Sequence, residues 1–219
     1  MPARRFDAIV FDWDGTLSDS TSPIASCMQE ACRELGLAVP TMEQAKHVIG
    51  LGLDDALGRL LPQLARSEYG TLVASYRRHY LARQFKHPLF DGMVELLELL
   101  AARGHVLAVA TGKSVVGLQH SLEEVGLVGR FDALRTADVT APKPDPAMLL
   151  ELLAELEVAP ERMLMIGDTA FDLEMAARAG VCALAVGYGA HPLDELRKWP
   201  ALEYLRSPVE LCDWLKTNA

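Results

Sequence analysis

No run of about 18 or more uncharged apolar residues occurs in the 219-residue chain, so the sequence offers no helix able to span a bilayer. Cysteine is sparse: Cys27, Cys32, Cys182 and Cys212 form no Cys-x-x-Cys pair and have no matching histidine spacing, which speaks against a zinc site or a redox dithiol. They read as small core residues of a protein from a reducing compartment. Positive charge is in deficit too. The formal net charge is -9 and the basic residues are scattered, so a nucleic-acid backbone is a poor partner. Repeats and low-complexity tracts are absent. The opening Met1-Pro2-Ala3-Arg4-Arg5-Phe6-Asp7 runs into an acid and then a short apolar stretch, the pattern of a strand rather than of a signal peptide. A cytoplasmic protein with no nucleic-acid and no membrane partner is expected.

What is present is enough apolar residue to build a core, 50% of the chain against 23% charged. The apolar run Ala8-Ile9-Val10-Phe11 reads as a buried strand, and it is followed at once by Asp12-Trp13-Asp14-Gly15-Thr16-Leu17. Residues two apart on an extended segment point the same way, so Asp12 and Asp14 converge on one small volume. Two carboxylates so close call for a cation, and hard oxygen ligands suit Mg2+. Gly15 lets the backbone turn and leaves amides exposed to an anion, although Asp and Gly also favour plain turns.

The organisation changes after this strand. From Ser22 to about Phe85 the periods are helical, with Ser22-Pro23 as a helix start and Ile24, Met28, Cys32 and Leu35 on one face. Thr41 and Gln44 form a capping box for a second helix ending at Gly50-Leu51-Gly52; Leu57, Leu60, Leu61 and Leu64 mark a third, and Leu72, Val73, Tyr76 and Tyr80 a fourth. From Pro88 helices alternate with short strands: helices near 93–102, 115–125, 171–179 and from Ser207-Pro208, another started by Asp145-Pro146, and strands near 106–110, 131–135, 163–166 and 183–186. The expected fold class is α/β, a doubly wound parallel sheet formed by residues 1–20 and 87–219, with an all-helical insertion at 21–86.

Open α/β sheets bind ligands beyond the carboxyl ends of their strands, and three later strand ends are conspicuously polar. Thr111-Gly112-Lys113-Ser114 supplies a hydroxyl and a glycine that can wrap a phosphoryl oxygen, residues that also serve ordinary turns. A nucleotide-binding P-loop is excluded there because Leu107 stands where the upstream glycine belongs. Lys143 sits between Pro142 and Pro144, which restrict its backbone; a surface lysine in a proline-rich turn is the plain alternative. Gly167-Asp168-Thr169-Ala170-Phe171-Asp172 places two acids about one helical turn apart. A helix cap explains one of them and not both.

The ordered set Asp12-x-Asp14-Gly15-Thr16, Thr111, Lys143-Pro144 and Gly167-Asp168-x-x-x-Asp172 resembles the haloacid dehalogenase-like hydrolase superfamily, in its phosphoglycolate phosphatase-like branch. The resemblance implies a Rossmann-like core with a mobile helical cap at 21–86. It implies that Asp12 is the nucleophile, forming an aspartyl-phosphate, and Asp14 the general acid and base. It assigns Mg2+ to Asp12, the Asp14 carbonyl and Asp168, with Asp172 as a further ligand or orienter. Thr111, Gly112 and Gly15 are implied in holding phosphoryl oxygens, Lys143 in balancing charge, and Gly50 and Gly52 in a substrate-specificity loop, a stretch that also reads as a plain helix terminator. Asp14 favours phosphate-ester cleavage over dehalogenation. Gly112 departs from relatives with an amide or hydroxyl there, leaving any such contact to the backbone or Lys113. Lys46, His47, Arg59, Arg77 and Arg78 are further candidates for an anionic group. The expected activity is Mg2+-dependent hydrolysis of a small phosphomonoester metabolite such as phosphoglycolate, by a monomer or weak homodimer. The alternatives are a sugar-phosphate mutase and a catalytically inactive regulatory binding protein.

Overall fold

A computed structural model describes residues 4–82 and 88–219. Six parallel strands form one sheet in the order β3-β2-β1-β4-β5-β6, with β1 (Ala8–Phe11), β2 (Val106–Thr111), β3 (Ala133–Thr136), β4 (Met163–Gly167), β5 (Cys182–Val186) and β6 (Tyr204–Leu205). Strand order reverses around β1, which pairs with β2 on one side and β4 on the other. Phe11 lies in register with Val109 and Ile166, so the segments beginning at Asp12, Thr111 and Gly167 leave the sheet at one rim.

Both faces of the sheet are covered, which is why its central strands read as continuous apolar runs. Ile9 and Phe11 face one way with Leu107, Val109, Leu164 and Ile166, beneath α5 (Met93–Ala102), α6 (Val115–Val125) and α10 (Pro208–Asn218). Ala8 and Val10 face the other with Ala108, Ala110, Met163 and Met165, beneath α7 (Ala147–Glu155) and α8 (Ala170–Ala179). Burying β1 on two sides leaves its exit, rather than its length, as the place for polar groups.

Among the described residues four α-helices and one 3-10 turn (Arg66–Glu68) lie between β1 and Pro88: α1 (Thr21–Glu34), α2 (Met42–His47), α3 (Leu53–Leu60) and α4 (Tyr69–Ala82). They close a separate apolar cluster of Met28, Ala31, Cys32, Leu57, Leu61 and Leu72. The boundary expected at 86/87 lies outside the described residues, as does Phe85.

Several local expectations need correction. Helix α1 begins at Thr21 after Ser20, not after Ser22, and the Ser20 hydroxyl makes no cap bond; its proton goes to Asp14 at 2.6 Å. Thr41 and Gln44 do form the capping box, but α2 ends at His47, three residues before Gly50. Strand β3 begins at Ala133 rather than Phe131, whose ring instead meets Trp13 edge-on at 6.3 Å. A four-residue helix α9 (Leu193–Leu196) and the two-residue β6 are too short to show a period and were not expected. Among the described residues no helix is long and apolar enough to cross a membrane.

Candidate active site

The chain turns out of β1 through a backbone that only glycine suits. Gly15 has φ +84°, and a Cβ there would lie 2.8 Å from Asp168 Cγ, so the first turn and the end of β4 approach more closely than any side chain allows. Thr16 completes the contact by donating its hydroxyl proton to Asp168 Oδ1 at 3.0 Å. On the far side, a Cβ at Gly189 would overlap Asp168, and the Ala190 N–H donates to Asp168 Oδ2 at 2.6 Å. Asp168 is therefore clamped between two glycine-built turns.

Asp12, Asp168 and Asp172 each present a carboxylate oxygen within 4.8 Å of the others, and all three are buried. Lys143, also fully buried, places its Nζ 2.8 Å from Asp12 Oδ1 and 2.6 Å from Asp172 Oδ1. The plain alternative for Lys143, a surface lysine, is thus overturned: its side chain is 0% exposed. The Lys143–Pro144 peptide is cis. At the start of α8 the cap is Thr169 rather than Asp168. Thr169 Oγ1 accepts the Asp172 N–H and donates to Asp172 Oδ2 at 2.7 Å. Asp172 consequently serves two structures at once, the capping box through Oδ2 and Lys143 through Oδ1.

Charge in this pocket is out of balance: three buried carboxylates against one buried ammonium. Burial pushes Asp12 up to about 7, with the Lys143 charge opposing and the Asp172 charge adding. Burial raises Asp168 strongly, and the neighbouring charges of Asp12 and Asp172 raise it further. For Lys143 burial works against the charge, but Asp12 and Asp172 outweigh it and hold the group protonated. Asp12 Oδ1 is fully engaged, accepting from the Trp13 N–H at 2.7 Å and facing Lys143, whereas Asp12 Oδ2 is buried without a hydrogen-bond partner among the described residues. An orphaned carboxylate oxygen in an all-oxygen donor set fits a hard divalent cation such as Mg2+.

Asp14 stands apart from this trio. Its Oδ1 accepts from Ser20 and lies 3.1 Å from Lys113 Nζ. Lys113 in turn reaches the Tyr80 hydroxyl of α4 at 3.4 Å and sits 5.3 Å from that ring. The sequence does not single out Ser20, Lys113 and Tyr80 as neighbours of Asp14; only Lys113 carries a signal, its place behind Thr111 at a strand end. Thr111 is buried at the end of β2 and accepts the Lys113 N–H at 3.2 Å.

The glycines of the helical segment meet the sheet rim. A Cβ on Gly50 would lie 3.2 Å from Thr169 Oγ1, one on Gly52 2.9 Å from Pro142, and one on Gly112 2.6 Å from the Gly50 carbonyl oxygen. Gly112 thus admits the Gly50-Leu51 backbone where a side chain would keep it away. Of the scattered cations, Arg78 pairs with Glu34, Arg77 is exposed, Arg59 stands 5.1 Å over the Phe171 ring, and Lys46 and His47 line a surface cavity with Glu195. None has a described contact to the site carboxylates. His191, missed from the sequence, is buried between Phe171 and His47.

The haloacid dehalogenase-like hydrolase family matches this chain over residues 9–186. The probable phosphatase IndB of Dickeya dadantii is 37% identical over 194 residues, covering 86% of this chain and 84% of its own. A phosphoglycolate phosphatase of Thiobacillus denitrificans is 33% identical over 200 residues, covering 86% and 88%. Among solved structures, a haloacid dehalogenase-like family hydrolase from Streptococcus pneumoniae superposes with a TM-score of 0.82 at 26% identity, covering 96% of this chain and 98% of that one.

Proposed function

The chain belongs to the haloacid dehalogenase-like hydrolase family and is a phosphomonoester hydrolase of that family, several though not all of its matched relatives bearing phosphatase names; we propose that it works on a small phosphorylated metabolite through a phosphoryl-aspartate at Asp12 with Mg2+ as cofactor. The observation that carries this reading is the asymmetry of Asp12: one oxygen held by Lys143 and Trp13, the other buried and unpartnered among the described residues.

Asp12, Asp168 and the Asp14 carbonyl are the groups we assign to Mg2+, with Asp172 holding Lys143 in place. When bound, the cation neutralises carboxylate charge and polarises phosphoryl oxygens. Lys143 opposes the repulsion between an anionic nucleophile and an anionic ester, and phosphoryl transfer depends chiefly on such positioning and charge stabilisation. Asp12 attacks phosphorus and the ester P–O bond breaks as Asp14 hands its proton to the leaving oxygen. Asp14 then takes a proton from water, whose oxygen attacks the same phosphorus and releases phosphate and free Asp12. Thr111, Gly112 and the amides around Gly15 hold phosphoryl oxygens.

Helices α1 to α4 act in this reading as a cap that excludes bulk water and sorts leaving groups, with Gly50 and Gly52 in the loop that meets the rim. Phosphoglycolate leads the candidate substrates, supported by the named relative. The test is phosphate release from a panel of phosphorylated metabolites with Mg2+ and with chelator. Net release dependent on Mg2+ supports hydrolysis; conversion of a hexose phosphate to its isomer without net release rejects hydrolysis in favour of a mutase, and inactivity on the whole panel argues for a binding protein.

A further inference from the structure

His191 lies in the turn between β5 and α9, is 1% exposed, and has every polar atom of its ring committed. Its Nδ1 accepts the Ala170 N–H at 3.1 Å, which fixes the proton on Nε2; Nε2 then donates to the backbone carbonyl of His47, 3.0 Å away. Burial holds the ring neutral, in keeping with that tautomer. The cluster His47, His191 and Glu195 has the composition of a metal site, but a ring with both nitrogens bonded to the backbone has no lone pair to give.

Three structures meet at this ring. Ala170 is the first residue of α8, the helix that carries Asp172. His47 is the last of α2, three residues before the Gly50-Leu51 backbone that rests against Gly112. His191 itself follows Ala190, whose N–H holds Asp168 Oδ2, and its own N–H donates to the Asp168 carbonyl at 3.3 Å. The ring is clamped sideways as well, stacked on the His47 imidazole at 4.4 Å and edge-on to Phe171 at 5.1 Å.

We propose that His191 is a positioning residue that couples the seating of α2 and its following loop over the rim to the placement of Asp168, so that cation binding and closure of the helical segment favour one another. The inference rests on the assignment of Asp168 as a cation ligand. A shift of α2 away from the sheet must break the Nε2 bond or drag the ring, and the ring cannot move without disturbing the same turn that clamps Asp168. Coupling through a shared rigid element is reciprocal: whatever tightens one site tightens the other by the same factor.

The test needs no turnover. Hydrogen exchange of the wild-type protein with and without Mg2+ is expected to slow in residues 187–191, and also in residues 42–51, which hold none of the assigned ligands. Slowing confined to 187–191 overturns the coupling. His191→Phe, which keeps a ring but neither hydrogen bond, is expected to weaken Mg2+ binding measured by calorimetry by about tenfold, within the range of known couplings, and to abolish the slowing in 42–51. His191→Gln presents one acceptor and one donor and is expected to recover most of both. If His191→Phe does not fold, the wild-type exchange pattern and His191→Gln still decide. Wild-type Mg2+ affinity in a folded His191→Phe overturns the proposal, whether or not the protein hydrolyses phosphate esters; absence of hydrolysis with the coupling intact strikes only the phosphatase reading.

Discussion

Lys143 Nζ lies 2.8 Å from Asp12 Oδ1, with neither side chain more than 1% exposed. A buried ion pair gains little over an apolar pair but is expensive to break, because the survivor is left charged and dry. Lys143→Met strips Asp172 as well as Asp12 of its partner, and is expected to cost about 3–5 kcal/mol in urea unfolding near neutral pH. Recovery of most of that stability at pH 5, where the carboxyls take up protons, is part of the expectation.

Asp14 is bonded to Ser20 and Lys113 rather than to the three-carboxylate cluster, which leaves its carboxylate free of the assigned cation set for the acid and base role proposed above. Asp14→Asn is expected to lower kcat by about 10^2 to 10^4 on an alkyl phosphate, the usual weight of general acid-base catalysis, and by less on p-nitrophenyl phosphate, whose leaving group needs no proton. Equal losses on both esters argue against the acid role.

Gly112 is a packing position between the sheet rim and the Gly50-Leu51 backbone. Gly112→Ser puts a Cβ into the Gly50 and Leu51 carbonyls, which are backbone and cannot swing aside. The expected result is a fall in kcat/KM of about 10^2-fold from misplacement at the site, together with a lowered temperature of thermal unfolding. An unchanged kcat/KM shows that the helical segment need not sit so close.

The pH dependence of Mg2+ stabilisation follows from Asp12. Its carboxyl, near 3.8 unperturbed, is raised to about 7 in the folded chain, so between those values the folded state binds the extra proton and stability falls as pH rises. Mg2+ requires the ionised form and offsets that loss. The Mg2+-induced rise in Tm is expected to be small at pH 5 and to grow through pH 7, and Asp12→Asn is expected to reduce the dependence, with Asp168, also raised by burial, supplying what is left.

Most of the sheet is legible in the sequence because β1, β2, β4 and β5 are apolar runs ending in turn residues, and the rim because a pair of aspartates leaving a buried strand needs a cation or a proton to balance it. Asp12, Lys143, Asp168 and Asp172 come together as one cluster, although 131 positions separate Asp12 from Lys143 in the numbering. What the sequence does not reveal is set by neighbours rather than by period. Ser20 looks like a helix cap until Asp14 is beside it; Gly189, Ala190 and His191 look like a loop until Asp168 is packed between that turn and Gly15. Lys113 looks like a turn residue until Asp14 lies beside it and α4 brings the Tyr80 hydroxyl over it.

Asp12 as the oxygen donor to phosphorus is the central assignment, and acid-quenched turnover with a phosphate ester carrying 32P tests it most directly. Label recovered on the peptide containing Asp12, released by hydroxylamine and absent from Asp12→Asn, is the predicted result, together with a loss of turnover in that variant. Rapid turnover that leaves no label on the protein, with Asp12→Asn nearly as active as wild type, contradicts it.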